Sequence, residues 1–252
     1  MTRHHGNAPY WIDPGAPVID FPDVKLALRE PNGLLAIGGD LSRERLLLAY
    51  SRGIFPWFDP QQPILWWAPD PRLVLEPARL KVSRSLRKTL RQGKFTLTMD
   101  SCFSEVIRAC SSRRPNQAGT WISAEMQSAY TDLHTAGYAH SVECWCNGKL
   151  AGGLYGVSIG RIFFGESMFT QVTDASKVAF VALARQLERW DFPLIDCQVH
   201  TSHLESLGAS LMPRQQFCEI LQRECHPQVT IPGWRLDADI SLVQELVGLG
   251  RS

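Results

Sequence analysis

The clearest alternation of apolar and polar positions lies at the centre of the chain. From Ala139 the period is two: residues 141–146, the pair Asn147-Gly148, then residues 149–157. Asn-Gly supplies two residues that tolerate positive φ, as a type I′ turn requires, so the segment predicts a β-hairpin. A turn at residues 158–160 leads to a third strand over 161–169. The period then becomes helical. Asp174 opens a helix running through Trp190, with Val178, Val181, Ala182 and Leu187 in its apolar stripe. The short apolar run 194–199 predicts a buried strand. Ser202 and Glu205 form a capping box for a short helix ended by Gly208, and a final helix follows Pro213.

Upstream of the hairpin the pattern is less regular. Residues 1 to about 28 hold several prolines and little periodicity, and predict an irregular arm. An amphipathic helix capped by Asp40 or Ser42 carries Leu46, Leu47, Leu48 and Tyr50 and stops at Gly53. Beyond it, Pro56, Pro60, Pro63, Pro69 and Pro71 are interleaved with Ile54, Phe55, Trp57, Phe58, Ile64, Leu65, Trp66 and Trp67. Proline fixes φ and removes a donor, so this backbone is extended or turning. Its rings are expected to pack between two lobes, with Trp57, flanked by glycine and prolines, left at a loop edge. Residues 73–75 and 95–99 predict strands, Asp100 or Ser101 opens a helix to about Cys110, and Ser123 caps another running through Tyr130 and Leu133 to Gly137.

With 252 residues, 44% hydrophobic and 20% charged, the composition is that of an ordinary globular protein with a real core. Net charge is +1, so any nucleic-acid contact must rest on a local patch. One exists. Between Arg79 and Lys94 lie Lys81, Arg84, Arg87, Lys88 and Arg91 with no acidic residue, on a helix that Ser83 caps and Gly93 ends. Leu86 and Leu90 would face inward and the cations water, either as a solvated face or as a contact for a phosphate backbone. The N-terminus has no apolar signal-like region and no apolar run is long enough for a bilayer, so a soluble cytoplasmic protein is expected. None of the seven cysteines forms a CxxC pair, and reduced thiols fit that address. Cys197, His200 and His203 are the tightest metal-like cluster, but no further ligand pair answers them.

Within the strand 194–199, alternation places Asp196 and Gln198 on one face. Such a pair is costly to bury without partners. It is either a satisfied structural tie or a catalytic device, in which the carboxylate accepts from the Gln amide and fixes its carbonyl oxygen toward an attacking amine. Glu166, in Gly-Glu-Ser, is the other acid of interest.

Several segments together resemble the bacterial leucyl/phenylalanyl-tRNA–protein transferases: GGDLS, RGIFPWF and PILWWAPDPR, then GTWIS (119–123), GGLYGV (152–157), FFGESMF (163–169), ASK (175–177) and LIDCQV (194–199). The resemblance implies an α+β chain with a small N-terminal domain (1–70) and a larger N-acetyltransferase-like catalytic domain (71–252), whose mixed, mostly antiparallel sheet is flanked by helices. It implies transfer of Leu or Phe, less readily Met, from aminoacyl-tRNA to the N-terminal Arg or Lys of a protein, marking the product for degradation. By motif match the catalytic residues would be Asp196, Gln198 and Glu166. Trp57, Trp121 and Tyr130 would line the aminoacyl-adenosine site, with Leu154, Phe163 and Met168 forming the side-chain pocket. Lys81, Arg84, Arg87 and Lys88 would meet tRNA. No metal and no cofactor are expected, and a monomer is.

Two alternatives remain at this point. A CoA-dependent N-acyltransferase would use the same element order, but its glycine-rich phosphate loop is replaced by FTQVTDASK. An RNA-binding module would use the basic helix and tryptophans and leave Asp196 and Gln198 inert.

Overall fold

The computed structural model describes residues 8–18, 21–112, 122–226 and 233–241. Its architecture is α+β, with two mixed sheets. The first sheet comes from the aromatic, proline-punctuated part of the chain: β1 (Tyr10–Ile12), β2 (Leu34–Gly38), helix α1 (Arg43–Ser51), β3 (Phe55–Pro56) and β4 (Leu65–Trp67). Its order is β1-β2-β4-β3, parallel between β1 and β2 and antiparallel elsewhere. The arm expected to be irregular thus contributes a strand. These strands are two to five residues long, too short for alternation to be visible in the sequence.

The second part runs β5 (Arg72–Leu75), α2 (Arg84–Arg91), β6 (Thr96–Met99), α3 (Phe103–Ser111), α4 (Ala124–Thr135), β7 (Ala139–Cys146), β8 (Lys149–Ile159), β9 (Ile162–Thr170), α5 (Ala175–Arg189), β10 (Leu194–Gln198), α6 (Ser202–Ser206), β11 (Ser210–Met212), α7 (Arg214–Glu224) and α8 (Ala238–Ser241). Seven strands pair in the order β11-β5-β10-β9-β8-β7-β6. Asn147 and Gly148, at φ 51° and 71°, make the expected β7–β8 turn. Within this sheet, among the described residues, only the β9–β10 pairing is parallel, so a crossover must join them, and α5 supplies it.

Both faces of this sheet are covered. Val74, Phe164 and Leu194 face a core shared with α1, α3, α4 and the first sheet, while Leu73, Phe163 and Ile195 face α5 and α2. Burial on both sides explains why the strand opens with two adjacent apolar residues, Leu194 and Ile195, one for each face.

Helix starts differ in detail from the sequence expectations. Thr201, not Ser202, caps α6 by accepting from the Leu204 N–H at 3.2 Å. Cys102 precedes α3, because Asp100 turns left-handed (φ 52°) and its carboxylate goes instead to His140 at 2.7 Å and the Ser141 N–H at 2.8 Å. Asp174 does precede α5, but at φ 70° its carboxylate meets Thr89 and Lys177 rather than the helix end.

Candidate active site

The parallel pairing of β9 with β10 runs Leu194↔Ile162, Ile195↔Phe163, Asp196↔Phe164 and then stops. Two irregularities sit at that point. The β8–β9 register passes from Tyr155↔Ser167 to Gly156↔Gly165, leaving Glu166 without a partner. The β5–β10 register passes from Asp196↔Val74 to Gln198↔Leu73, leaving out Cys197. Each is a bulge, which kinks a strand and re-aims side chains. Gly156 permits the first, since a Cβ there would meet the Phe164 carbonyl oxygen at 2.3 Å. Side-chain amide and carboxylate then bridge the two strands: Gln198 Nε2 donates to Glu166 Oε1 at 2.9 Å.

Glu166 is held from its other side by two buried phenols. Tyr50, from α1, bonds Oε1 at 2.7 Å, and Tyr130, from α4, bonds Oε2 at 3.1 Å. The two hydroxyls also bond each other, in a short contact. Three oxygen–oxygen contacts close a triangle. Each needs one proton, and two neutral phenols supply two. A protonated Glu166 supplies the third, and the three bonds can then run round the triangle in either sense. Its electrostatics agree: burial outweighs the hydrogen bonds from Tyr50, Tyr130 and Gln198, Asp196 adds repulsion, and the pKa rises to about 8. Burial and the carboxyl likewise push the Tyr50 and Tyr130 phenols well above their usual value. At pH 7 the site therefore holds a neutral carboxylic acid.

Asp196 is arranged differently from the sequence expectation. Its carboxylate does not accept from the Gln198 side-chain amide, which is turned to Glu166. It accepts instead from the Gln198 backbone N–H at 2.9 Å and, on both oxygens, from the Arg72 guanidinium at 2.8 and 2.7 Å. The bulge at Cys197 breaks the alternation that would have set the two side chains together. The ion pair is sealed, with Arg72 1% and Asp196 0% exposed. Sequence reasoning missed Arg72, Tyr50's role and the bulges. PDPR stood in a motif, but nothing in its spacing gave a partner 124 residues away.

A cavity of about 1130 Å³ opens where β9 and β10 part. Leu154, Phe163 and Met168 line it with Phe180 and Leu183, as do Glu166, Asp196 and Gln198. Phe164, next in sequence to Phe163, turns to the other face and packs against Tyr50. Trp57 stands at the rim, 41% exposed, against Trp67. Tyr130 is buried and reaches the site through its bond to Glu166, without being among the residues that line the cavity. Trp121 lies outside the described residues.

The basic helix α2 forms as expected: Ser83 accepts from the Leu86 N–H, Leu86 and Leu90 are buried, and Lys81, Arg84, Arg87 and Lys88 are exposed. Thr89 donates to Asp174 at 2.9 Å, and Asp174 and Lys177 are on the cavity wall, so α2 is fixed beside the opening. Cys197 is buried with its thiol pushed up by burial, and His200 pairs with Glu205. Among the described residues Asp100, His134 and His140 bring ligand-type atoms within 4.8 Å, but both His140 ring nitrogens already face Asp100 and the Gly137 carbonyl.

A family profile described as leucyl/phenylalanyl-tRNA protein transferase matches residues 74–222, and one for the N-terminal domain of that family matches 39–70. Relatives named leucyl/phenylalanyl-tRNA–protein transferase are closely similar. That of Nitrosomonas europaea is 62% identical over 203 residues, covering 81% of this chain and 86% of the relative. That of Thiobacillus denitrificans is 64% identical over 197 residues, covering 78% and 86%. That of Hydrogenovibrio crunogenus is 55% identical over 232 residues, covering 92% and 90%. With matches of this extent and identity, the chain belongs to the leucyl/phenylalanyl-tRNA–protein transferase family and is a transferase enzyme.

Proposed function

We propose that this protein moves Leu or Phe, and less readily Met, from aminoacyl-tRNA to the N-terminal Arg or Lys of an acceptor protein, creating a degradation signal. The observation that carries this reading is the bridge from Gln198 to Glu166 facing an apolar cavity with a tryptophan at its rim. The donor's side chain sits among Leu154, Phe163 and Met168, whose flexible thioether accommodates two shapes. Its terminal adenine stacks on Trp57, and Trp121 serves with it. The exposed cations of α2, with Lys81, take phosphates of the tRNA.

The chemistry asks little of the enzyme. An aminoacyl ester is already activated, and a protein α-amino group with pKa about 7.7–8.0 is partly neutral near pH 7. The amine nitrogen attacks the ester carbonyl carbon; a C–N bond forms and the C–O bond to the ribose breaks. The proton that leaves the amine replaces the one Glu166 gives to the departing ribose oxygen, so the acid is neutral again when the amide and the free hydroxyl have formed. With its NH2 given to Glu166, Gln198 keeps Oε1 to accept from the amine and orient it. Neutral Glu166, with the proton on Oε1 beside Gln198 when the triangle runs in that sense, is the proton donor to the leaving oxygen, a role worth about 10²–10⁴-fold. Asp196 is an anchor in this scheme rather than a base or a counter-charge for the acceptor. Proximity in the cavity supplies the largest share, about 7–11 kcal/mol in favourable cases.

The seven-stranded sheet with its β9–α5–β10 crossover is consistent with an N-acetyltransferase-like catalytic domain (71–252) behind a small N-terminal one (1–70). No helix of the described residues is long and apolar enough to cross a membrane; the reading is of a cytoplasmic monomer that needs no cofactor. The test is to follow labelled leucine from leucyl-tRNA into a peptide beginning with Arg, beside acetyl-CoA and a peptide beginning with an acidic residue. Transfer from tRNA to the Arg peptide alone is expected. Transfer from CoA, or tRNA binding without transfer, overturns it.

A further inference from the structure

We propose that Arg72 is a positioning residue for the transfer: it fixes Asp196 as the acceptor of the Gln198 backbone N–H and so aims the Gln198 amide at Glu166. The inference rests on the reading of Glu166 and Gln198 as the reacting pair. Gln198 is a non-glycine residue at φ 62°, a left-handed conformation that persists only where the surroundings impose it. What imposes it is the bond from its own N–H to Asp196 Oδ1 at 2.9 Å. That oxygen is oriented in turn by Arg72 Nε at 2.8 Å, and the second by a terminal nitrogen at 2.7 Å.

The guanidinium is itself clamped. Its carbon lies 4.6 Å from the Phe55 ring centroid and 5.0 Å from that of Phe217. Phe55 belongs to the first sheet, Phe217 to α7, and Arg72 to β5, so three parts of the fold converge on one carboxylate. Stability alone explains such a pair poorly, because well-packed apolar residues commonly replace a buried ion pair without loss. Geometry explains it: a bidentate fork sets both the position and the plane of the carboxylate, which sets the backbone turn, which sets the amide. Lysine has no such fork and presents one point charge.

The experiment measures single-turnover leucine transfer to an Arg-initiated peptide, the KM for each substrate and the Tm, for wild type, Arg72→Lys and the double variant Arg72→Met/Asp196→Leu. Arg72→Lys is expected to lose about 100-fold in kcat, the size of effect a displaced catalytic group produces, with each KM within about threefold. The double variant is expected to keep a Tm near wild type and still lose kcat, because the Gln198 N–H has no acceptor. Wild-type kcat per folded molecule in either variant overturns the proposal. So does an Arg72→Lys activity that rises along a new pH limb belonging to a freed Asp196. A wild-type protein that transfers no leucine sinks the functional reading instead. In that event a crystal structure of Arg72→Lys decides: Gln198 turned away from Glu166 supports the positioning role, and Gln198 unmoved removes it.

Discussion

Glu166→Gln replaces the neutral acid with a neutral amide of the same shape. The new Nε2 can donate to Tyr130, and the new Oε1 can accept from Tyr50 and Gln198, so the triangle of hydrogen bonds survives. What disappears is the titration. In the wild type the folded-state pKa is raised from 4.5 to about 8. The proton therefore favours the fold: below about pH 4.5 folded and unfolded chains both carry it, and as pH rises toward 8 only the folded chain does. Stability from this group is full at low pH and lost as pH climbs through the folded pKa. Each pH unit of the gap is worth about 1.4 kcal/mol, so the whole gap corresponds to about 5 kcal/mol. Glu166 is only partly buried by its neighbours, and solvent screening of such a group brings the expected effect nearer 2 kcal/mol. Urea unfolding of both proteins at pH 4 and pH 9 measures it. Glu166→Gln should match the wild type at pH 4, where folded and unfolded chains both carry the proton, and exceed it at pH 9, while its transfer rate falls about 10²–10⁴-fold because it has no acidic proton to give. A stability difference that is the same at both pH values would mean that the fold does not hold the Glu166 proton and that the proton count is wrong.

Three further outcomes are expected. Replacing Arg84, Arg87 and Lys88 together with Ala should raise the KM for aminoacyl-tRNA and lower the slope of log K against log salt by about 2–3; an unchanged slope makes α2 a solvated face only. Trp57→Ala should weaken donor binding by about 1–3 kcal/mol with Tm hardly moved, since the ring is 41% exposed; a large fall in Tm with unaltered KM would make it core glue. Leu154→Phe narrows the apolar wall and should cut use of phenylalanyl-tRNA more than leucyl-tRNA, measured by competition; equal loss would place the donor side chain elsewhere.

Much of the larger sheet was legible. The Asn147-Gly148 turn, the helix behind Asp174 and the apolar strand at 194–198 each carry local signals that tertiary packing reinforces. The first sheet was not, because its short strands are identified by pairing across the chain: Leu34 meets Trp67 and Tyr10 meets Ala36. The site divides the same way. Glu166, Gln198 and the pocket wall stand in recognisable motifs, but which group the Gln198 amide faces depended on two bulges. A bulge is a mismatch between partners and leaves no mark in one strand's own sequence. Tyr50 read as one apolar position of α1, and its hydroxyl acquires a role only when α4 brings Tyr130 beside it. Arg72 looked like the end of a proline-rich segment until β10 placed Asp196 against it.

The most direct measurement is a crystal structure with an adenosine carrying leucine through a 3′-amide, which binds like the donor but does not react. The adenine should lie on Trp57, the isobutyl group among Leu154, Phe163 and Met168, and the acyl carbon beside Gln198, with Glu166 about 3 Å from the 3′ nitrogen. An acyl carbon seated away from the Gln198–Glu166 bridge, or an analogue bound outside this cavity, would contradict the account.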